Sequence, residues 1–178
     1  MANYIFDSNY LKQTTVINDN VDDKIISQAI LDVQKMYIEE LLGTLLYNQI
    51  ITQISTNTVS ANNQTLLDNY VVPCMKQYVL AECAWMFQYK FWNKGILTSS
   101  SDNAQPVDFS TIKFIMDQYR NKAEKLATTC TEFLRNSTST YPLYLSNTLA
   151  YQKQPNKNNY TTGLYLESDE NTCNYDNP

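Results

Sequence analysis

The side chains able to do chemistry in this chain are carboxylates, lysines, tyrosines and cysteines, because its 178 residues include no histidine. That absence removes a Ser-His-Asp triad, a Cys-His pair, histidine-ligated zinc and the Glu-x-x-His motif of di-iron bundles. Carboxylate pairs survive on residue type but not on spacing. Glu39 and Glu40 are adjacent, so on a helix they point about 100° apart and do not converge; they read as a solvated, helix-ending pair. Asp22 and Asp23 read as capping and dipole partners of a helix start. The three glycines form no G-x-x-x-x-G-K pattern, so no phosphate cradle is expected. Cys74, Cys83, Cys130 and Cys173 contain no C-x-x-C pair, and the first three read as small core residues. No catalytic residue, metal or cofactor is expected.

Glu82 is the one charged residue between Val79 and Tyr89. An unpartnered carboxylate in an apolar setting costs several kcal/mol, so it needs a cation or a path to water. Arg120 is the expected partner, since guanidinium offers a planar fork. Nearby, Trp85, Phe87, Tyr89, Phe91 and Trp92 with Lys90 and Lys94 resemble a stacking platform for single-stranded nucleic acid in composition only. They cover several helical faces and no Arg interleaves them, so core packing is the better reading.

These residues need helices to place them. Asp22 can cap a helix on which Val21, Ile25, Ala29 and Val33 recur at helical spacing. Gly43 follows Glu39-Glu40-Leu41-Leu42, where a left-handed residue would end a short second helix, and Thr44 is then expected to cap a third carrying Leu45, Leu46, Gln49, Ile50 and Ile54. Asn57 to Asn63 is a polar break, and Pro73 predicts a helix break near Val72. Residues 74 to 92 are apolar on nearly every side, which predicts a surrounded central helix ended by Gly95. Thr98 to Val107 is a polar connection. Phe109, Ile112, Ile115, Tyr119, Ala123, Leu126, Cys130 and Phe133 then step by three or four along a last amphipathic helix begun by Asp108 or Ser110.

The expected fold is all-α: four main helices with short accessory helices, an extended N-terminal arm (residues 1–19), a helical domain (20–137) and a long extended C-terminal tail (138–178). The length suits one domain with a core that needs neither disulfide nor metal. The net charge of −5 argues against a nucleic-acid coat. No apolar run approaches the ~20 residues that span a bilayer, so a soluble protein without a membrane partner is expected.

The bent unit from Asp22 to Thr56 is followed by Leu66-Leu67-x-x-Tyr70-x-x-Pro73, then Phe91-Trp92-Asn93-Lys94-Gly95-Ile96, Tyr119-Arg120-x-x-Ala123-Glu124, and Phe133-Leu134-Arg135-Asn136 leading to Tyr141-Pro142. In order and spacing, over roughly residues 1 to 145, this resembles the head-tail connector (adaptor) proteins of tailed bacteriophages. The resemblance implies a structural virion protein at the head-tail junction, made in the host bacterial cytoplasm. Such a protein forms a homo-oligomeric ring, commonly twelvefold, that docks on the portal protein, receives tail or further connector proteins, and lets DNA pass through its channel without sequence-specific binding. It also implies that the C-terminal segment reaches the portal. The anchors expected here are Tyr141, Pro142, Leu143, Tyr144, Tyr160, Leu164 and Tyr165, with one ring face on the last helix and the other on the bent unit. The alternative is a helix-turn-helix-like nucleic-acid-binding regulator. Its recognition helix would be Thr44 to Ile54, which carries no Lys or Arg for phosphate.

Overall fold

A computed structural model describes residues 4–87, 89–92, 95–98 and 107–155. The described chain is all-α, with one small hairpin. Its four longest helices are α2 (Asp23–Val33), α4 (Thr44–Ser55), α6 (Val72–Met86) and α7 (Phe109–Asn136). Shorter helices α1 (Ser8–Thr14), α3 (Glu39–Leu42) and α5 (Ala61–Leu66) complete it, with a 3-10 turn at Pro142–Tyr144.

Asp22 caps α2, its carboxylate accepting the Lys24 amide at 2.9 Å. The helix then widens into a π turn over Gln34–Ile38, where the Glu39 amide reaches back five residues to the Gln34 carbonyl. Gly43 makes the corner after α3 at φ +74, ψ 152, a region that only glycine enters readily. Thr44 does not cap α4 as expected, because it is the first helical residue and Gly43 occupies the cap position.

At Val72 the α-helix restarts as expected, although the helical backbone is not interrupted there. A second π turn, Leu67–Val71, precedes it, and the Val72 amide donates to the Leu67 carbonyl five residues back. Pro73 then falls in the first turn of α6, where a missing N–H costs little. Four consecutive residues, Tyr78 to Ala81, are buried, so α6 is the enclosed central helix, packed between α2 and α7.

The central helix is shorter than expected. It stops at Met86, and Tyr89–Trp92 pairs antiparallel with Gly95–Thr98 in register Tyr89 to Thr98 through Trp92 to Gly95. Tyr-Lys-Phe-Trp is rich in residues that favour extended backbone, and Asn93-Lys94-Gly95 follows it with turn chemistry. An apolar count alone does not separate this from helix.

The N-terminal arm is also not simply extended. Asp7 caps α1 through the Tyr10 amide (2.8 Å), and Phe6, Leu11 and Ile17 join the same core as α2, α4, α6 and α7. Gln34, buried, ties the arm in by accepting the Ile5 amide (3.0 Å) while donating to the Tyr47 hydroxyl (3.1 Å). The first part of the tail likewise belongs to the body: Tyr141 and Tyr144 are core residues. One core thus crosses both expected boundaries, at 19/20 and at 137/138.

Candidate functional site

The expected Glu82 and Arg120 are brought together, with Arg120 Nη2 3.7 Å from Glu82 Oε1. Glu82 does more than pair. Its Oε1 also accepts the Tyr37 hydroxyl (3.2 Å) and its Oε2 accepts the Trp85 indole N–H (3.2 Å). One carboxylate on α6 therefore joins α7, the first π turn and the last turn of its own helix. The Tyr37 ring stacks on Tyr78 at 4.4 Å and 9°. Burial, and then the adjacent Glu82 charge, push the Tyr37 phenol above its ordinary value, so it stays a protonated donor.

Two concavities flank this node. One, about 280 Å³, lies between Tyr37, Leu41 and Tyr78 on one side and Ala127, Thr128 and Thr131 of α7 on the other. The second, about 390 Å³, is walled by Ile25, Trp85, Met86 and Tyr89, with exposed Asp22 and Lys24 beside them. Glu82 fixes one wall of the second groove by holding the Trp85 indole.

A different polar cluster sits at the Gly43 corner. Glu39 is not the solvated carboxylate expected, being only 5 % exposed. It pairs with Lys35 (2.8 Å) and Lys153 (3.5 Å) and accepts the Thr44 hydroxyl (3.2 Å). Burial works against its charge, but the Lys35 contact, then Lys153 and Thr44, outweigh burial and hold its carboxyl below the usual value. Lys35 is raised correspondingly, first by its bond to Glu39. Glu40 points elsewhere, toward the first cleft.

The tail closes this corner. Gly43 has no side chain to cap α4, and Asn147 supplies the acceptor instead: its Oδ1 takes the Leu45 amide at 3.0 Å. The Thr44 amide donates to the Lys153 carbonyl (3.2 Å), and the Lys153 amide donates back to Thr44 Oγ1 (2.8 Å). Pro155 is buried against Gly43: a Cβ built there would lie 2.5 Å from Asn147 Nδ2 and 3.1 Å from Pro155 Cδ.

These contacts revise the expected anchors. Tyr141 is 4 % exposed, donates to the Asn62 carbonyl (2.7 Å) and packs edge-on to Phe133, and Tyr144 is 1 % exposed. Neither is available to another protein, because each fills the core. Pro142 is exposed and Leu143 partly so. Tyr160, Leu164 and Tyr165 lie outside the described residues, as do the side chains of Lys90, Phe91, Trp92 and Lys94 from the aromatic cluster.

Burial also accounts for the thiols. Cys74, Cys83 and Cys130 are buried and free, and desolvation pushes each up to about 12, so they are inert core groups. Among the described residues no group of three or more Cys, Asp or Glu side chains is placed to hold a metal ion. None of the described helices is long and apolar enough to cross a membrane.

The model of a family of unknown function, DUF6712, matches residues 38–151, well over half of the chain. The chain belongs to the DUF6712 family. No curated protein and no solved structure matches it. The DUF6712 match opens at the end of the first π turn and takes in Gly43, Glu82, Arg120 and Asn147. It also includes Tyr141 and Tyr144, consistent with a tail whose first part is built into the body.

Asn147, Lys153 and Pro155 were not legible as site residues in the sequence. The available signal was indirect. A helix that starts right after a glycine corner has amides to satisfy and no side chain at the cap to do it. That bookkeeping demands a remote acceptor without naming it.

Proposed function

We propose that this DUF6712 protein is a structural virion subunit that forms a ring at the portal vertex, joins capsid to tail and extends the DNA channel. The observation that carries this reading is the distribution of exposed apolar side chains: apart from Tyr10, Val16 and Met36, those of the described residues gather at the two ends of α7. Phe109, Phe114 and Ile115 stand out at its start, with Val107 just before them. Leu145, Leu149 and Tyr151 stand out beyond its end, on the segment that follows Tyr144. A head-to-tail ring needs unlike surfaces on one subunit, and a ring docked on a second protein needs one more. The order of motifs resembling head-tail connectors supports the same reading.

The role is mechanical, with no reaction catalysed. The ring, twelvefold in the connectors it resembles, adds a repeated surface below the portal for tail or further connector proteins. Leu145, Leu149 and Tyr151, held out from a closed corner, are the portal-facing anchors within the described tail. They replace the buried Tyr141 and Tyr144 in that role. DNA passes through the channel without sequence-specific contact. The regulator alternative gains no support: the N-terminal turn of α4, the end a recognition helix would present to bases, is engaged by Asn147 and Lys153.

Negative-stain imaging of the full chain with and without the portal protein of the same genome tests the proposal. Rings seated on portal are expected, and a double Leu149→Asp, Tyr151→Asp variant should seat poorly. Absence of any portal complex, or salt-dependent binding of duplex DNA by the purified protein, would overturn it.

A further inference from the structure

Phe114 follows buried Ile112 by two positions, which places it about 200° around α7 from the face that packs on α6. It is 63 % exposed and stands among polar neighbours, Lys113 before it and Asp117 one turn on. Phe109 lies on the inner side of the helix yet is 60 % exposed. Arg120 lies level with Glu82, so the first turns of α7 run past the end of α6 at Met86. The start of α7 is therefore an aromatic projection that its own chain does not cover.

The groove walled by Ile25, Trp85, Met86 and Tyr89 has the complementary form. Its Trp85 wall is fixed in advance by Glu82, which is itself held by Tyr37 and Arg120, so little ordering is left to be done on docking. Asp117 beside the projection and Lys24 beside the groove have no ion-pair partner among the described residues. Their charges are opposite. Phe114 is not among the residues that wall the groove of its own chain, and its position on α7, nine residues before buried Ala123 and so on the opposite side of the helix, turns it away from α6.

We infer that the start of α7 docks, Phe114 first, into the α2/α6 groove of a second copy of this chain, with Asp117 meeting Lys24 across the contact. This rests on the ring reading above and names its subunit interface. The contact is heterologous, with a different patch from each copy, so it propagates head to tail and closes only where rotation brings the last copy to the first. It also gives the Glu82 node a purpose beyond stability. A carboxylate held by three elements sets the indole that receives the neighbour.

The test uses the full chain, alone and with portal, carrying the photo-crosslinker benzoyl-phenylalanine at position 114. Cross-links between copies to residues 24–28 or 85–89 are expected. Phe114→Asp should weaken copy-to-copy association by roughly 30-fold or more, as a buried interface anchor does. Lys24→Glu and Asp117→Lys should each weaken it by about threefold and restore it when combined. If wild type forms rings but Phe114→Asp forms them equally well, or the cross-links fall on portal or within one chain, the docking inference fails and the ring reading stands. If wild type neither self-associates nor binds portal, both fail.

Discussion

At the start of α4 the first amides are satisfied by Asn147 and Lys153, more than a hundred residues away in sequence. At the start of α7, Asp108 accepts the Ser110 amide two residues on, and nothing distant is required. The first helix start is sealed under a strap of tail, with Pro155 buried on Gly43. The second is left open, its aromatic residues in solvent. A helix capped by its own neighbour can project from the body, whereas one capped from afar marks where the fold has closed on itself. The molecule uses the first kind where we propose that it meets other copies and the second where it holds itself together.

The largest expected effect comes from breaking the sealed end. Gly43→Val puts a branched side chain at φ +74 and drives its Cβ into Asn147 and Pro155. Backbone strain and displacement of the strap together should cost about 3 kcal/mol or more. Urea unfolding checks this, and a variant within 1 kcal/mol of wild type would show that the corner is not what the tail rests on. For the same reason a truncation after Asn136 tests nothing about portal binding, since it deletes core Tyr141 and Tyr144. One ending after Pro155 keeps both.

Asn147→Ala is the more selective cut. It leaves the Leu45 amide without its acceptor and should cost about 1–1.5 kcal/mol, in the range of a lost helix cap. Hydrogen exchange then distinguishes the two helix starts. Loss of the remote cap should speed exchange both in the first turn of α4 and across residues 144–155, whereas Asp108→Ala should speed it only in the first turn of α7. Equal, local responses to both substitutions would erase the distinction drawn here.

Much of this architecture was legible because its signals are local. Asp22, Gly43 and the eight-residue apolar ladder of α7 announce themselves within a few residues, and the helices start or turn there. Glu82 was legible for a related reason: a lone carboxylate among apolar residues demands a cation, and Arg120 supplies it. What it did not reveal were Tyr37 and Trp85, whose polar tips look like any core aromatic in a sequence. The hairpin was hidden because Tyr89 to Trp92 continues the aromatic-rich run of α6, with only Gln88 and Lys90 interposed and no Gly or Pro to mark a break. The strap was hidden most completely. Asn147 lies in a polar stretch of ordinary loop composition, and only the distant glycine corner gives it a task.

A milder perturbation of the sealed end is a change of pH. Glu39 has its carboxyl held below the ordinary value of 4.5, so its contribution to stability is complete above that value and is lost as the pH falls below it. Glu39→Gln should therefore cost about 1 kcal/mol at neutral pH, and the gap should close as the pH falls through the lowered value of Glu39 and wild type loses the charge too. Urea titrations of both proteins from neutral pH into acid measure the difference. A gap that persisted undiminished into acid would mean that the side chain's packing, and not its ion pairs with Lys35 and Lys153, holds the corner.

The smallest effect belongs to the open end and is the sharpest contrast. Phe114→Asp removes a large aromatic side chain, a change that in a core position costs about 3–5 kcal/mol. Here the ring touches little of its own chain, and an aspartate in an early turn of α7 also suits the positive end of the helix dipole. The variant should unfold within about 0.5 kcal/mol of wild type, like other surface substitutions. Stability and assembly thus separate at this residue. Its loss should be silent when single chains are unfolded under conditions that keep them apart, and should appear only when copies must bind one another. A marked loss of monomer stability would mean that the start of α7 is packed within its own chain, and the difference between the two ends would disappear.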